Sequence, residues 1–291
     1  MATYNPLLEG AIEMHCHSSP SLFPRKQNDW ELLEDAKQAK MHSIVIKSHE
    51  SQTYDRATLL NLKQEDVKVI GGLVLNHFSG GLNPFTVDAA IQSGAQIIWM
   101  PTFSSKQHQN YFEERKTNLF KNSNMLSQQG YGIEILDDND KLKIHVHEIL
   151  ELIASSNAIL STGHLSVKEV CILVREAKLH GIDKILIQHA DLGIARIPFE
   201  VQKDLVYQGA IIEKCYLACS SDFNNLTVAE MAENIKILGV GSCVMVTDYG
   251  QAHHIPIVEA FSNFIDEILI NGITQSEVRT MIHTNPLHLL N

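Results

Sequence analysis

The stretch 158–179, AILSTGHLSVKEVCILVREAKL, is a short apolar run that passes directly into a helical pattern. The run ends at His164, and Ser166 and Glu169 have the spacing of a capping box, which predicts that a helix begins there. A buried strand followed by a helix is the repeating unit of parallel sheets, because the helix returns the chain to the start of the next strand. The stretch therefore predicts one strand-helix unit with a histidine at the carboxyl end of its strand.

The same unit recurs along the chain. Apolar runs of the buried-strand type, each followed by helical periodicity, occupy 11–15, 43–49, 67–77, 95–102, 158–164, 184–189, 210–217 and 243–248. Eight such units within 291 residues predict the α/β class and a (β/α)8 TIM barrel, as a single domain spanning 1–291. An open doubly wound sheet is the main rival, but the chain lacks a GxGxxG turn.

The spacing is irregular between the fourth and fifth runs. The segment 131–150, YGIEILDDNDKLKIHVHEIL, predicts a short hairpin with its turn at Asp137–Lys141, leading into a helix. We interpret it as an insertion between strands 4 and 5 rather than as a second domain.

Composition narrows the classes of partner. The formal net charge is −11 and no basic stripe is present, which argues against nucleic acid, and no apolar tract is long enough to span a membrane. The first residues, MATYNPLLEG, lack the features of a signal peptide, and the five cysteines lack CxxC spacing, so we expect a cytoplasmic protein with reduced thiols. We expect a small-molecule partner, and the sequence leaves a homo-oligomer open.

Residues of metal-ligand type fall at the ends of four predicted strands. His15 and His17 are two apart on the first strand and so share a face, where their imidazoles could bind one metal ion. The alternative is a pair of half-buried histidines satisfied by hydrogen bonds. His164, His189 and Asp248 end the fifth, sixth and eighth runs, and the carboxyl ends of barrel strands converge on one mouth. For Asp248, a helix cap or Asx-turn is the alternative.

The motifs HCH, STGH, IQH and VTD, in this order, resemble the metal-ligand pattern of the amidohydrolase superfamily. The segments EMHCHSSP, ILSTGHLS, IQHAD and TDYGQ more narrowly resemble an uncharacterised family of amidohydrolase-related proteins. The resemblance implies that His15, His17, His164 and Asp248 bind a divalent ion, with His189 as a further ligand or a catalytic partner. Asp248 would then accept the proton of the attacking water, while His189 would polarise the substrate.

The chain departs from the superfamily at the fourth strand. Binuclear members carry a carboxylated lysine or a glutamate at the end of that strand, where this chain reads WMPT. We therefore expect one ion rather than two. Zinc suits histidine-rich ligation best, and manganese or iron remain alternatives.

Five further polar residues are candidates for substrate binding: Lys47, His49, His77, Glu213 and Arg25. The first three end predicted strands, the fourth interrupts an apolar run, and the last follows the first strand. A solvated loop, a structural salt bridge or a surface position is the alternative in each case.

The predicted function is a metal-dependent hydrolase of amidohydrolase type that uses metal-activated water on an amide, cyclic amide, lactone or ester of a small polar substrate. Alternatives are a phosphoesterase of the polymerase-and-histidinol-phosphatase type, a metal-dependent decarboxylase or isomerase, and a non-catalytic metal-binding barrel. The second HxH pair, His145 and His147, precedes a predicted helix and is expected to be solvated.

Overall fold

The computed structural model describes residues 4–116 and 132–291. Its strands within these ranges are β1 (Ile12–Cys16), β2 (Ser43–Ile46), β3 (Lys68–Ile70), β4 (Gly72–Val74), β5 (Ile97–Trp99), β6 (Ile159–Ser161), β7 (Ile185–Ile187), β8 (Ile211–Cys215) and β9 (Cys243–Val246). The α-helices are α1 (Asp29–Gln38), α2 (Tyr54–Asn61), α3 (Pro84–Gln92), α4 (Lys106–Glu114), α5 (Ile144–Ala154), α6 (Val167–Leu179), α7 (Phe199–Tyr207), α8 (Val228–Leu238), α9 (Ile257–Ile270), α10 (Gln275–Arg279) and α11 (Asn285–Leu290). None of these helices is long and apolar enough to cross a membrane.

The strands are parallel and follow one another in chain order, as β1-β2-β3 and as β4 to β9. Among the described residues, β9 and β1 are neighbours but are not paired as strands. Two backbone hydrogen bonds join them just beyond the strand ends, from the Asp248 N–H to the His15 carbonyl and from the His17 N–H to the Tyr249 carbonyl, both 2.9 Å. The strand order and the alternation with helices confirm the predicted α/β barrel class.

The third predicted strand is divided into β3 and β4, and Thr53 explains the break. Its hydroxyl accepts a hydrogen bond from the Gly72 N–H at 2.9 Å, and its own N–H donates to the Gly72 carbonyl at 3.0 Å. A Cβ on Gly71 would lie 2.3 Å from the Thr53 carbonyl oxygen, so only glycine admits this approach. The strand thus pairs with β2 through its first half and with β5 through its second half.

Alternation along β1 separates the barrel interior from the helix layer. Ile12 and Met14 are buried in the apolar core, and Glu13 lies on the opposite face, as a period of two requires. The Glu13 carboxylate accepts hydrogen bonds from the N–H groups of His15, at 2.9 Å, and Thr247, at 3.0 Å. Burial raises the pKa of Glu13 to about 8. This carboxyl group therefore links β1 to the end of β9 inside the barrel.

The predicted insertion lies between β5 and β6. Leu136 and Leu142 form an antiparallel bridge, and the Asp137 N–H donates to the Lys141 carbonyl at 2.8 Å. The predicted turn at Asp137–Lys141 and the helix after it are therefore confirmed, although Tyr131 lies outside the described residues.

A buried ion pair fixes α7 against the outer face of β8. The Lys214 ammonium is fully buried and donates to Asp191, at 2.8 Å, and to Gln202, at 3.1 Å. We expect Lys214→Met to lower the free energy of unfolding by about 3–5 kcal/mol, because it leaves the Asp191 carboxylate buried without its cation. Urea denaturation measures this loss. Lys203→Met, at a half-exposed ion pair, is the control and should change stability by less than about 1 kcal/mol. An equally small effect at Lys214 would contradict the prediction.

Candidate metal centre

The five predicted ligand residues lie together at the carboxyl ends of the strands and are at least nine-tenths buried: His15, His17, His164, His189 and Asp248. The backbone turns sharply at two of them, since His189 has φ +55° and Asp248 has φ +56°. Non-glycine residues adopt this left-handed conformation rarely, and it is concentrated at functional sites. Each turn aims a side chain inward as soon as its strand ends.

Three imidazoles converge on the carboxylate of Asp248. The distance to Oδ1 is 3.1 Å from His15 Nε2 and 2.9 Å from His17 Nε2, and His189 Nε2 lies 3.6 Å from Oδ2. Ligand atoms of His15, His189 and Asp248 all lie within 4.8 Å of one another, as one metal ion requires. The fold thus brings His15, His189 and Asp248 to a common point, with His17 against the same carboxylate.

The outward-facing nitrogens of these imidazoles have their own partners. His15 Nδ1 lies 3.1 Å from Glu213, and His17 Nδ1 lies 2.8 Å from the Lys47 carbonyl. His164 Nδ1 lies 2.8 Å from His108, and its buried Nε2 has no hydrogen-bond partner among the described residues. Outer partners of this kind hold a metal-binding histidine in the tautomer whose Nε2 lone pair is available.

The charges of the cluster suit cation binding. Burial alone would raise the pKa of Asp248, but His15 and His189 outweigh it and hold the pKa well below the usual range. Burial and the nearby Arg25 lower the pKa of His17 to about 3, so its imidazole is neutral. His15 differs: burial opposes its charge, but Asp248 overcomes that effect and raises its pKa to about 9. A metal ion must therefore displace a proton from His15.

Glu213 is buried behind the cluster and orients two of its members. Its carboxylate contacts His15 Nδ1 and accepts a hydrogen bond from the His189 N–H at 3.2 Å. We expect Glu213→Gln to weaken metal affinity by about 10–100-fold, since an amide carries no charge and offers one acceptor oxygen instead of two. Competition titration against a chelating dye measures the effect. Glu200→Gln, on the surface of α7, should leave the metal affinity unchanged. An unchanged metal affinity in Glu213→Gln would contradict the orienting role of Glu213.

Two of the predicted substrate-binding residues adjoin the cluster. Lys47 is 1% exposed, and its Nζ lies 3.2 Å from His15 Nε2. Burial lowers the pKa of this ammonium to about 8, against the opposing effect of Asp248. His49 stacks on Phe103, with 3.7 Å between ring centroids, and lies within 2.8 Å of the Thr102 hydroxyl. His49 lines the cavity above the cluster, whereas Lys47 is buried against His15 and is not among the residues that line it.

His77 lies elsewhere, exposed on a short 3-10 turn and outside the residues that line the cavity. Its neighbour Asn76 is fully buried and holds the site instead. The Asn76 amide donates to the His49 carbonyl and the Thr102 hydroxyl, at 2.8 Å and 2.7 Å. Sequence reasoning missed Asn76, although a polar residue directly after the apolar run GGLVL was a signal for it.

A cavity of about 580 Å³ opens above the cluster, a size typical of small-molecule sites. Its floor includes His17, His164, His189 and Asp248, and Arg25 lies at its side. The walls are largely aromatic, which sequence reasoning did not foresee: Phe23, Phe103, Tyr111, Phe112 and Phe223. These rings come from three separate loops and from α4, so no local sequence motif predicts that they lie together.

The second HxH pair is placed apart from the cluster, at the start of α5. His145 is exposed beside Glu148, and His147 lies 3.2 Å from His180. Both positions agree with the solvated role expected for them.

Comparison with known proteins places the chain in a family. Residues 10–213 match the model of a family of unknown function, DUF6282. This chain belongs to that family. The DUF6282 match contains the four histidines of the cluster, and Asp248 lies beyond it. No curated protein matches the chain by sequence.

Solved structures share the fold of this DUF6282 protein at low identity. An amidohydrolase from Pseudomonas aeruginosa has a TM-score of 0.68 at 13% identity, over 98% of this chain and 96% of its own. The lactonase Lmo2620 from Listeria monocytogenes gives 0.62 at 12%, over 98% and 96%. The organophosphorus hydrolase from Deinococcus radiodurans gives 0.61 at 12%, over 98% and 94%. These likenesses confirm the predicted fold.

Proposed function

We propose that this protein is a metal-dependent hydrolase that cleaves an amide, cyclic amide, lactone or ester bond of a small polar substrate. One observation carries the proposal: the Nε2 atoms of His15, His17 and His189 converge on Asp248, while outer partners hold the Nδ1 atoms of His15 and His17. The buried Nε2 of His164 has no hydrogen-bond partner among the described residues and is available to a ligand. The donors are nitrogen and carboxylate oxygen, the set that suits a divalent transition metal.

The residues that would hold the ion are His15, His17, His164, His189 and Asp248. Zinc suits this set best, with manganese or iron as alternatives. When bound, such an ion lowers the pKa of water from about 16 to about 7 and so supplies hydroxide at neutral pH. We propose one ion, because Thr102 at the end of the fourth strand unit is engaged by His49 and Asn76, and the unit offers no carboxylate.

The protein's own groups then divide the proton transfer and the orientation of the substrate. Asp248 is ionised at neutral pH and accepts the proton of the attacking water, which it passes to the leaving group. His189, beside Asp248 and Glu213, is either the fifth ligand or, where it does not bind the ion, the group that polarises the oxygen of the scissile bond. The Lys47 ammonium, 3.2 Å from His15 Nε2, contributes positive charge to the ligand cluster from beside His15.

The proteins of similar structure include an amidohydrolase and a lactonase, which supports the proposal of a hydrolase. A phosphoester substrate is the second candidate, since an organophosphorus hydrolase has the same fold. The negative charge and the cavity are the reasons to keep a small-molecule partner and no nucleic acid within the proposal.

Metal analysis followed by an activity screen tests the proposal. We expect about one divalent ion per chain in protein purified without chelator, and hydrolysis of at least one member of a panel of lactones, esters, amides and phosphoesters. Activity should vanish with a chelator and return with zinc or manganese. Protein that binds none of zinc, manganese and iron would overturn the proposal.

A further inference from the structure

Two arginines line the cavity, Arg25 and Arg115, and they differ in burial, since Arg25 is half-buried and Arg115 is exposed. Arg56 makes a paired contact with Asp29, at 2.9 Å and 2.5 Å, and Arg115 covers the ring of Tyr111 with its Cζ 3.5 Å from the centroid. Arg25 lines the cavity, and its Nε donates a hydrogen bond to the Ser21 hydroxyl at 3.1 Å. No carboxylate of the described residues lies within 4.0 Å of its guanidinium nitrogens. A half-buried cation therefore presents free donors to the cavity.

The position of Arg25 is fixed by the loops that carry the metal ligands. Its backbone forms an antiparallel bridge with Gln251, and the Lys26 N–H donates to the Gly250 carbonyl at 2.8 Å. These contacts join the loop after β1 to the loop after β9, close to Asp248. The guanidinium is thus held by two strand ends, which gives it the preorganisation that a binding residue needs.

The carboxylates near Arg25 do not form an ion pair with its guanidinium among the described residues. Glu50 and Asp248 are the carboxylates whose charge acts on the guanidinium. Glu50 Oε1 accepts a hydrogen bond from the Leu22 N–H at 2.6 Å, and its buried Oε2 has no hydrogen-bond partner among the described residues. Asp222, on the cavity wall, is engaged by His253 and by His254, at 2.8 Å and 2.9 Å. A planar guanidinium fork matches a carboxylate in bidentate fashion.

Aromatic rings form much of the cavity lining around Arg25. Phe23 lies under the guanidinium, with 5.8 Å from Cζ to the ring centroid, and Phe103 stacks on His49. Phe112 and Phe223 also line the cavity, together with polar side chains that include Arg115 and Asn225. Flat aromatic ligands gain both buried area and ring-ring contacts in such a cavity.

We propose that Arg25 is the anion-recognition residue of the cavity, and that the substrate is a small aromatic carboxylate whose carboxylate pairs with Arg25 while its ring packs against the aromatic walls. This inference rests on the proposed function, because it places the scissile bond of that substrate at the ligand cluster. The charged group of the ligand is distinct from the bond that is cleaved.

Calorimetric titration with benzoate and with its neutral isostere benzamide tests the inference without turnover. We expect benzoate to bind the wild-type protein more tightly than benzamide does. Arg25→Gln should weaken benzoate binding by about tenfold or more and leave benzamide binding within about twofold. Arg25→Lys keeps the positive charge but lacks the paired N–H donors of the guanidinium, so its benzoate affinity should lie between those of Arg25→Gln and the wild type. Lys26→Gln, at the exposed neighbouring position, is the matched control and should bind both ligands as the wild type does.

Equal benzoate affinity in wild type and Arg25→Gln would overturn the inference, as would equal affinity for benzoate and benzamide or no benzoate binding at about 10 mM. Circular dichroism checks that each variant is folded, and Arg25→Lys serves if Arg25→Gln is not. Titrations on zinc-loaded and chelator-treated protein separate the two proposals. Benzoate binding that depends on Arg25 in a protein that binds no metal would retain the anion site and remove the hydrolase. If the protein binds metal but its benzoate affinity does not depend on Arg25, the hydrolase proposal is retained and the anion site is contradicted.

Discussion

Replacing His15 and His17 together with alanine is expected to abolish divalent-metal binding. Both Nε2 atoms lie within 3.1 Å of Asp248, so the change removes two neighbouring nitrogen ligands from one point. At a zinc concentration about 1,000 times its Kd, the wild type should gain about 4 kcal/mol of stability and the variant close to none. Metal content by mass spectrometry and thermal unfolding with and without zinc measure the two effects.

The chain provides its own control for this experiment. His145→Ala with His147→Ala removes an HxH of the same composition from the exposed start of α5 and should leave metal content unchanged. Since His15 is also buried between Glu213 and Asp248, the quantity to compare is the metal-dependent gain and not the absolute stability. A single His17→Ala variant covers the case in which the double variant does not fold. Full zinc-dependent stabilisation of a folded variant would contradict the metal assignment.

The second large effect is expected from Asp248→Asn. The amide has nearly the shape of the carboxylate, and asparagine is among the residues that tolerate φ near +56°, so the backbone turn should persist. Loss of the general base should lower kcat by about 10²–10⁴-fold. The measurement is the rate on whichever substrate the activity screen identifies, with metal content determined in parallel.

Asp88→Asn, on the exposed face of α3, is the control for this change and should retain full activity. A slow variant that still holds its metal would locate the defect in proton transfer. Turnover of Asp248→Asn at the wild-type rate would remove Asp248 from catalysis and leave it at most a ligand.

The strands were predictable because burial on both faces leaves a signature in the chain itself. Residues 243–248 and 184–189, for example, are continuous apolar runs that end in a polar residue, and the structure begins and ends β9 and β7 within them. The division of the third strand was not predictable in this way. It depends on Thr53, which lies far from Gly71 along the chain and approaches it only in the folded protein.

The same distinction between local sequence features and tertiary contacts applies to the candidate site. The ligand residues occupy strand ends, and strand ends of a barrel must converge, so His164 and Asp248 could be paired across the chain before any coordinates existed. His77 shows the limit: it follows a strand by one residue more than Asn76, and that step turns it to the surface.

The sequence by itself determined the barrel, the five residues of metal-ligand type and the end of the barrel at which they meet, because period, burial and chain order are local properties. Only the tertiary structure decided which nitrogen of each histidine faces the common point and that Glu213 lies behind His15. It also decided that Arg25 lies beside a largely aromatic cavity and has no ion pair with a carboxylate of the described residues. These features arise from contacts between loops that are distant in the chain, and distances between such loops are set by packing rather than by any pattern within them.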